Sequence, residues 1–350
     1  MQFTWNEALP LFFMAVMGLA LLAYVVLDGY DLGVGILLPF ATNEEKDLMV
    51  SSIGPFWDAN ETWLVLGIGV LLVAFPMAHG IVLSALYLPV AVMLIGLTLR
   101  GVSFDFRVKA RAARKGLWNR LFALGSLMAS MAQGWMLGSY LTGFDYHWIS
   151  VLFCAGIALT LPTAYAMLGA GWLIMKTGDD LQLKAVAWAR KVLLPMGVAL
   201  VGISLATPLV SHTVYERWFN MPQLIGLLPI PVACAVAFYA AFLVISRPKI
   251  VAAGYGWVVF ASTVLIFVMA FIGLAYSMYP YIVIDRLTVW QAASATESLF
   301  VIFIGVAITL PAIIVYTVFM YRVFWGKAQA LSYLMPAMEP GSVTADHRRT

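Results

Sequence analysis

The stretch Leu27-Asp28-Gly29-Tyr30-Asp31-Leu32-Gly33-Val34-Gly35 closes an apolar run that begins near residue 9, and Phe56-Trp57-Asp58-Ala59-Asn60-Glu61-Thr62-Trp63 opens the next. An acidic side chain close to hydrocarbon costs about 2.5–3.5 kcal/mol on insertion scales, so it is normally kept for ions, protons or a partner. Asp28 and Asp31 are three apart, as are Asp58 and Glu61, so each pair shares a helix face if the backbone stays helical. Two like charges that close cannot both ionise cheaply where water is scarce, and a carboxyl that shares its proton can relay it. The same groups can equally cap helix ends, where Asp58 and Glu61 suit the positive end of the second helix, or pair with Arg100 and Lys46.

Working outward, composition fixes the class. With 350 residues, 63% apolar and 11% charged, and a mean hydropathy of +0.93, the chain is no ordinary soluble domain. Apolar runs of roughly 20 residues, each enough to cross about 30 Å of hydrocarbon, recur throughout. They lie at about 9–30, 56–77, 79–100, 118–141, 148–174, 192–211, 222–245, 257–279 and 298–324. The expectation is therefore an all-α polytopic membrane protein. One integral-membrane domain covers 1–335, and a flexible cytoplasmic tail covers 336–350. Glu7 stands where a secretory signal would carry basic residues, so the first run reads as a span.

Charge placement orients the spans. With nine crossings, the connecting loops alternate sides. Every Lys and Arg except Arg217 and Arg286 falls in one alternating set, most densely between Arg100 and Arg120. The positive-inside rule puts that set in the cytoplasm, with the N-terminus outside and the C-terminus inside. The four carboxylates then meet the inner face of the membrane. The Arg100–Arg120 loop reads mainly as a topogenic signal that can also touch acidic lipid head groups. The basic net charge of +3 is a matter of topology and carries no nucleic-acid signal.

The remaining features are quieter. Gly29, Gly33 and Gly35 form a small-residue strip that lets a neighbouring helix approach. Trp57, Trp63, Trp118, Trp148 and Trp257 fall near span ends, the usual interfacial placement. Cys154 and Cys234 sit in apolar runs as packing residues and form neither a metal motif nor a disulfide framework. His79, His147 and His212 lie on or beside outer loops and His347 in the tail, so a bis-histidine haem within this chain is not expected. The residues alone end at a nine-helix membrane protein with a cytoplasmic acidic cluster. They do not choose between a transporter and a subunit of a larger complex.

Four motifs, the two acidic stretches and two more, together carry a resemblance. Asp28 to Gly35, Trp57 to Trp63, Arg100-Gly101-Val102-Ser103-Phe104-Asp105-Phe106-Arg107, and Tyr279-Pro280-Tyr281 followed by Leu287 to Ser294 keep the order and spacing of subunit II of the cytochrome bd-type quinol oxidases, a family that includes a cyanide-insensitive branch. The resemblance extends over essentially the whole chain. It implies two four-helix bundles plus a peripheral helix, and a subunit of a quinol:oxygen oxidoreductase. The b and d haems, or a b-type substitute, would lie in the partner, subunit I. This chain would ligate none, although some members hold a structural quinone here, and a small single-helix accessory subunit can join the pair. Residue by residue, Asp58 maps onto the mouth of a proton path and Trp63 onto an oxygen route. Glu61 stands where some relatives have Gln.

The reading reached is a haem-free subunit that scaffolds its partner and supports proton delivery. No catalytic residue and no metal ligand is assigned to the chain. The expected proton path is Asp58, Glu61, Asp28 and Asp31, with Arg100, Asp105 and Arg107 ordering its cytoplasmic mouth. The alternatives are a stand-alone proton- or cation-coupled transporter, marked by paired broken helices, and a purely structural subunit whose acids are caps.

Overall fold

A computed structural model describes residues 5–221 and 223–328. The expected tail at 336–350, with His347, lies outside these. In chain order the helices are α1 (Trp5–Leu37), α2 (Asn43–Ile53), α3 (Trp57–Ala74), α4 (Pro76–Lys109), α5 (Ala112–Leu141), α6 (Trp148–Lys176), α7 (Asp179–Val210), α8 (His212–Phe219), α9 (Gln223–Leu227), α10 (Pro229–Ser246), α11 (Pro248–Ile250), α12 (Trp257–Met278), α13 (Val289–Ala292) and α14 (Thr296–Val323). A two-stranded antiparallel hairpin, β1 (Tyr281–Val283) and β2 (Leu287–Thr288), precedes α13. Among the described residues, nine segments are long and apolar enough to cross a membrane: α1, α3 to α7, α9 with α10, α12 and α14.

The number of spans matches expectation, but their ends differ in an informative way. The first helix runs on to Leu37, so Asp28 and Asp31 are inside it, about 9–14 Å from its end at 1.5 Å per residue. In lipid every backbone amide must be satisfied internally, so an acid or a glycine does not end a helix there. Helix α7 likewise begins at Asp179 rather than near 192. Its first turns bury Leu181, Ala185, Val186 and Ala189, while Lys184 reaches across to Glu45 at the start of α2. That amphipathic stretch has too many cations to register as an apolar run.

Helix α1 is the centre of the packing, lying against α3, α5 and α6, while α4 packs on α5, α6 on α7, and α12 on both α6 and α10. Helix α14 leans on α1 and α3 and leaves most of its length uncovered, with Val301, Ile308 and Val315 each about 70% exposed. The expected glycine strip acts as a seam. A Cβ at Gly33 would overlap the Tyr165 carbonyl oxygen, and one at Gly169 would meet the Gly33 backbone. Helices α1 and α6 therefore touch backbone to backbone. Helices α4 and α5 do the same at Gly96 and Gly125.

One aromatic departs from its expected place. Trp63 is 5% exposed and packs with Ala20 and Tyr24 inside the bundle rather than at an interface. Trp148 and Trp257 are exposed at span ends as expected.

The seam makes a sharp prediction. Gly33→Ala must push α1 from α6, because the clash is with backbone and no rotamer can relieve it; such overpacking costs about 1–3 kcal/mol or more. The yield of monodisperse protein in detergent should fall well below wild type. Gly80→Ala, which points into open space, should not change it. Equal yields for the two variants would contradict the seam.

Candidate functional site

Three helices bring the expected acids together around one cation. Along α1, Tyr24, Asp28 and Asp31 recur at helical spacing and face inward. Helix α3 supplies Asn60 and Glu61, and α4 supplies Arg100. Arg100 is 1% exposed. Its Nη1 lies 2.6 Å from Asp28 Oδ1, on a fully buried carboxylate. Its Nη2 contacts Glu61 Oε1, which is partly open to the outside. A guanidinium taken out of water needs such anions on either side, and its planar fork can hold two at once. Of the two uses open to these acids, pairing with Arg100 is what Asp28 and Glu61 do.

Asp31 has a different environment. Its Oδ2 accepts a hydrogen bond from Asn60 Nδ2 at 2.8 Å, and its Oδ1 has no hydrogen-bond partner among the described residues. It has no cation within 4.0 Å either. Arg100 is thus shared by two carboxyls, and the recorded partner of the third, Asp31, is the neutral amide of Asn60.

Asn60 is part of a closed ring. Asn60 Nδ2 also donates to Tyr30 OH at 2.8 Å. The Tyr30 and Tyr321 hydroxyls are 2.6 Å apart, and Tyr321 OH donates back to Asn60 Oδ1 at 3.1 Å. The ring closes consistently if Tyr30 donates to Tyr321, and hydrogen bonds in such a series polarise one another. It ties α14 to α1 and α3. Stacking reinforces it, with Tyr30 on Trp172 at 4.1 Å and Phe56 on Tyr321 at 4.5 Å between ring centroids.

A second chain of hydrogen bonds runs to Tyr24, one turn from Asp28 on α1. Tyr165 OH donates to Gln133 Oε1 at 2.5 Å, and Gln133 Nε2 donates to Tyr24 OH at 2.8 Å. Tyr24 stands one helical turn before Asp28 on α1, and neither Asp28 oxygen has a hydrogen-bond partner among the described residues. Asp28 is thus held by the charge of Arg100, with the Tyr24–Gln133–Tyr165 string one turn away.

The other expected residues lie apart from this cluster. Asp58 is exposed in the first turn of α3, three residues before Glu61. Asp105 is exposed near the end of α4. Arg107 turns to a separate group, donating from Nε to Asn119 Oδ1 and pairing through Nη2 with Asp47 Oδ1, both at 2.6 Å. Lys115 joins the same aspartate at 3.5 Å. Lys46, the other cation considered for the acids, is not among their partners. Trp63 packs beside Tyr24, next to the buried acids.

Sequence reasoning missed the neutral members. Asn60 and Tyr30 stand inside the two acidic motifs, and Gln133 is an amide in an otherwise apolar run; all three were detectable as polar groups with no water to satisfy them. Tyr165 and Tyr321 had no local signal, since their partners are 32 and 291 residues away. Among the described residues, no group of three or more His, Cys, Asp or Glu could hold a metal ion.

Removing one partner from a buried ion pair leaves the other uncompensated, at about 3–5 kcal/mol. Arg100→Gln should therefore lower the melting temperature of the assembled protein by many degrees, and the double variant Arg100→Gln with Asp28→Asn should recover part of the loss. Melting of Arg100→Gln at the wild-type temperature would show that the pair is not structural.

Comparison with known proteins follows this geometry. The family described as cytochrome bd terminal oxidase subunit II matches residues 9–324. The chain is 27% identical over 369 residues to cytochrome bd-I ubiquinol oxidase subunit 2 of Escherichia coli K12, covering 92% of this chain and 95% of that one. It is 29% identical over 324 residues to cytochrome bd ubiquinol oxidase subunit 2 of Bacillus subtilis 168, covering 86% and 91%. Its fold is similar to a chain of the bd oxidase from Geobacillus thermodenitrificans, with a TM-score of 0.70 at 18% identity over 91% of this chain and 98% of the other. An acidic cluster clamped by one arginine inside a nine-span protein is thus found in a chain that belongs to the cytochrome bd terminal oxidase subunit II family.

Proposed function

We propose that this multi-pass membrane chain is the haem-free subunit of a bacterial quinol oxidase, holding the haem-bearing subunit I and passing protons from the cytoplasm toward it. The observation that carries this reading is the descent of acids along α3 and α1. Asp58 is exposed, Glu61 is partly open and touches Arg100, Asp28 shares that arginine, and Asp31 is buried one turn along α1 from Asp28, on the side of the helix's C-terminal end. Protons would enter at Asp58 and reach Asp31 through Glu61 and Asp28. Arg100 would fix the geometry throughout, while Arg107 and Asp105 would organise the surface around the mouth. Trp63, packed against Tyr24, would line an apolar route for oxygen.

The same reading sets the orientation. The cation-rich loops would face the cytoplasm, with the N-terminus outside, and residues 1–335 would act as one membrane domain. The contacts of α1 with α3 and α5, and of α12 with α6 and α10, fit two four-helix groups with α14 at the edge. The uncovered apolar faces of α14 and α7 offer area for subunit I and for lipid. A small accessory helix and a structural quinone would be further occupants. Haems of b and d type supply the electron chemistry of such oxidases. The described histidines fit poorly as axial ligands, since His79, His147 and His212 lie at helix starts or between helices. This reading assigns the haems to subunit I. The transporter reading has no support, because α6 runs unbroken through Pro162 and α7 through Pro195, Gly197 and Gly202.

Asp58→Asn tests the proton role. An exposed, isosteric change should leave the fold within about 0.5 kcal/mol of wild type. Quinol-driven oxygen consumption should slow about tenfold or more, while the haem spectrum of the purified complex stays the same. Normal turnover would remove Asp58 from the path and leave a scaffolding subunit.

A further inference from the structure

A second polar feature lies away from the acids, where α6, α12 and α14 all reach the cation-rich face. A cleft of about 720 Å³ opens there, lined by Lys176, Lys327, Trp257, Trp325, Val251 and Phe260 among others. Its walls are apolar, and Trp257 and Trp325 are exposed at its mouth. Tryptophans in that position commonly mark the boundary between hydrocarbon and head groups.

Among the described residues, the two lysines have no salt-bridge partner. Lys176 is 7% exposed. Its Nζ donates to the Phe324 carbonyl at 2.6 Å and stands over the rings of Trp172 and Phe56. Lys327 Nζ donates to the Thr177 carbonyl at 2.5 Å, and the Ala328 amide donates to the Lys176 carbonyl at 2.7 Å. The two ammonium groups therefore flank one clasp between the end of α6 and the segment after α14. Among the described residues, neither has a carboxylate within 4.0 Å, although Asp179 also lines the cleft. Each ammonium carries three donors and gives only one to these carbonyls. The first turn of α12 opens on the same space, and its N-cap, Gly256, provides no side-chain acceptor. Uncapped amides at a helix start favour an anion.

We propose that this cleft binds one anionic phospholipid, its phosphate held by Lys176, Lys327 and the start of α12, and an acyl chain lying along Val251 and Phe260. The site rests on the membrane placement of the chain and not on the proton path. It would brace the junction of α6 and α14, the helix whose Tyr321 closes the hydrogen-bonded ring around Asn60.

The test uses the purified oxidase complex, washed in detergent and then titrated separately with phosphatidylglycerol, phosphatidylcholine and inorganic phosphate. Phosphatidylglycerol should be retained at one per complex and raise the melting temperature, and phosphatidylcholine should not displace it. Lys327→Gln should weaken retention about tenfold, as expected for the loss of one charge-assisted contact. Lys176→Gln should do the same where it assembles, and Lys327→Gln decides the matter where it does not. Equal retention of phosphatidylcholine, or unchanged retention in Lys327→Gln, would overturn the proposal. Inorganic phosphate stabilising the complex as well as the lipid would overturn the lipid assignment. Retention seen only in a complex whose chain stops after Ala328 would give the cleft to the C-terminal segment instead.

Discussion

A buried guanidinium sets the terms for the rest of this molecule. Arg100 cannot lose its proton at any ordinary pH, so α4 must be met by anions where it enters the bundle. Asp28 and Glu61 meet it, one from α1 and one from α3, and so three helices are fixed at one height. The close glycine contact of α1 with α6 follows from the same alignment, because α1 has no freedom to slide once Asp28 is engaged. The neutral ring through Asn60, Tyr30 and Tyr321 then fastens α14, which otherwise has little packing of its own.

The acids of the cluster differ in what holds them. Asp28 is held by the charge of Arg100, with no hydrogen-bond partner for either oxygen among the described residues. Asp31 has one amide donor and an oxygen left over. Glu61 sits between the arginine and the outside. Under the proposed relay, carboxyls held in such different ways would divide the work, some changing state beside others that stay fixed.

Much of this was readable in the residues. Apolar run lengths gave the spans, and the one-sided distribution of Lys and Arg gave a consistent alternation of loops. Acids at 28, 31 and 61 marked the site because few other residue types are so costly there. The errors share a cause. Asp28 and Asp31 looked like the end of a helix because hydropathy falls at acids and glycines, yet the backbone in lipid has no better conformation than to continue. Trp63 looked interfacial from its sequence position, whereas packing against Tyr24 determines where it lies. Arg107 lies two turns beyond Arg100 along α4 and takes partners the sequence did not point to, Asp47 and Asn119. Tyr165, Gln133 and Tyr321 come from distant segments, and only the folded chain brings them to the acids.

The most direct measurement is proton uptake by the complete oxidase reconstituted in liposomes, following a single turnover started with a pulse of oxygen, for wild type and Asp31→Asn. The variant keeps the shape and hydrogen bonding of the side chain but cannot carry a proton. The account predicts haem spectra like wild type and uptake slowed about tenfold or more. Uptake at the wild-type rate in a fully assembled Asp31→Asn complex would contradict it.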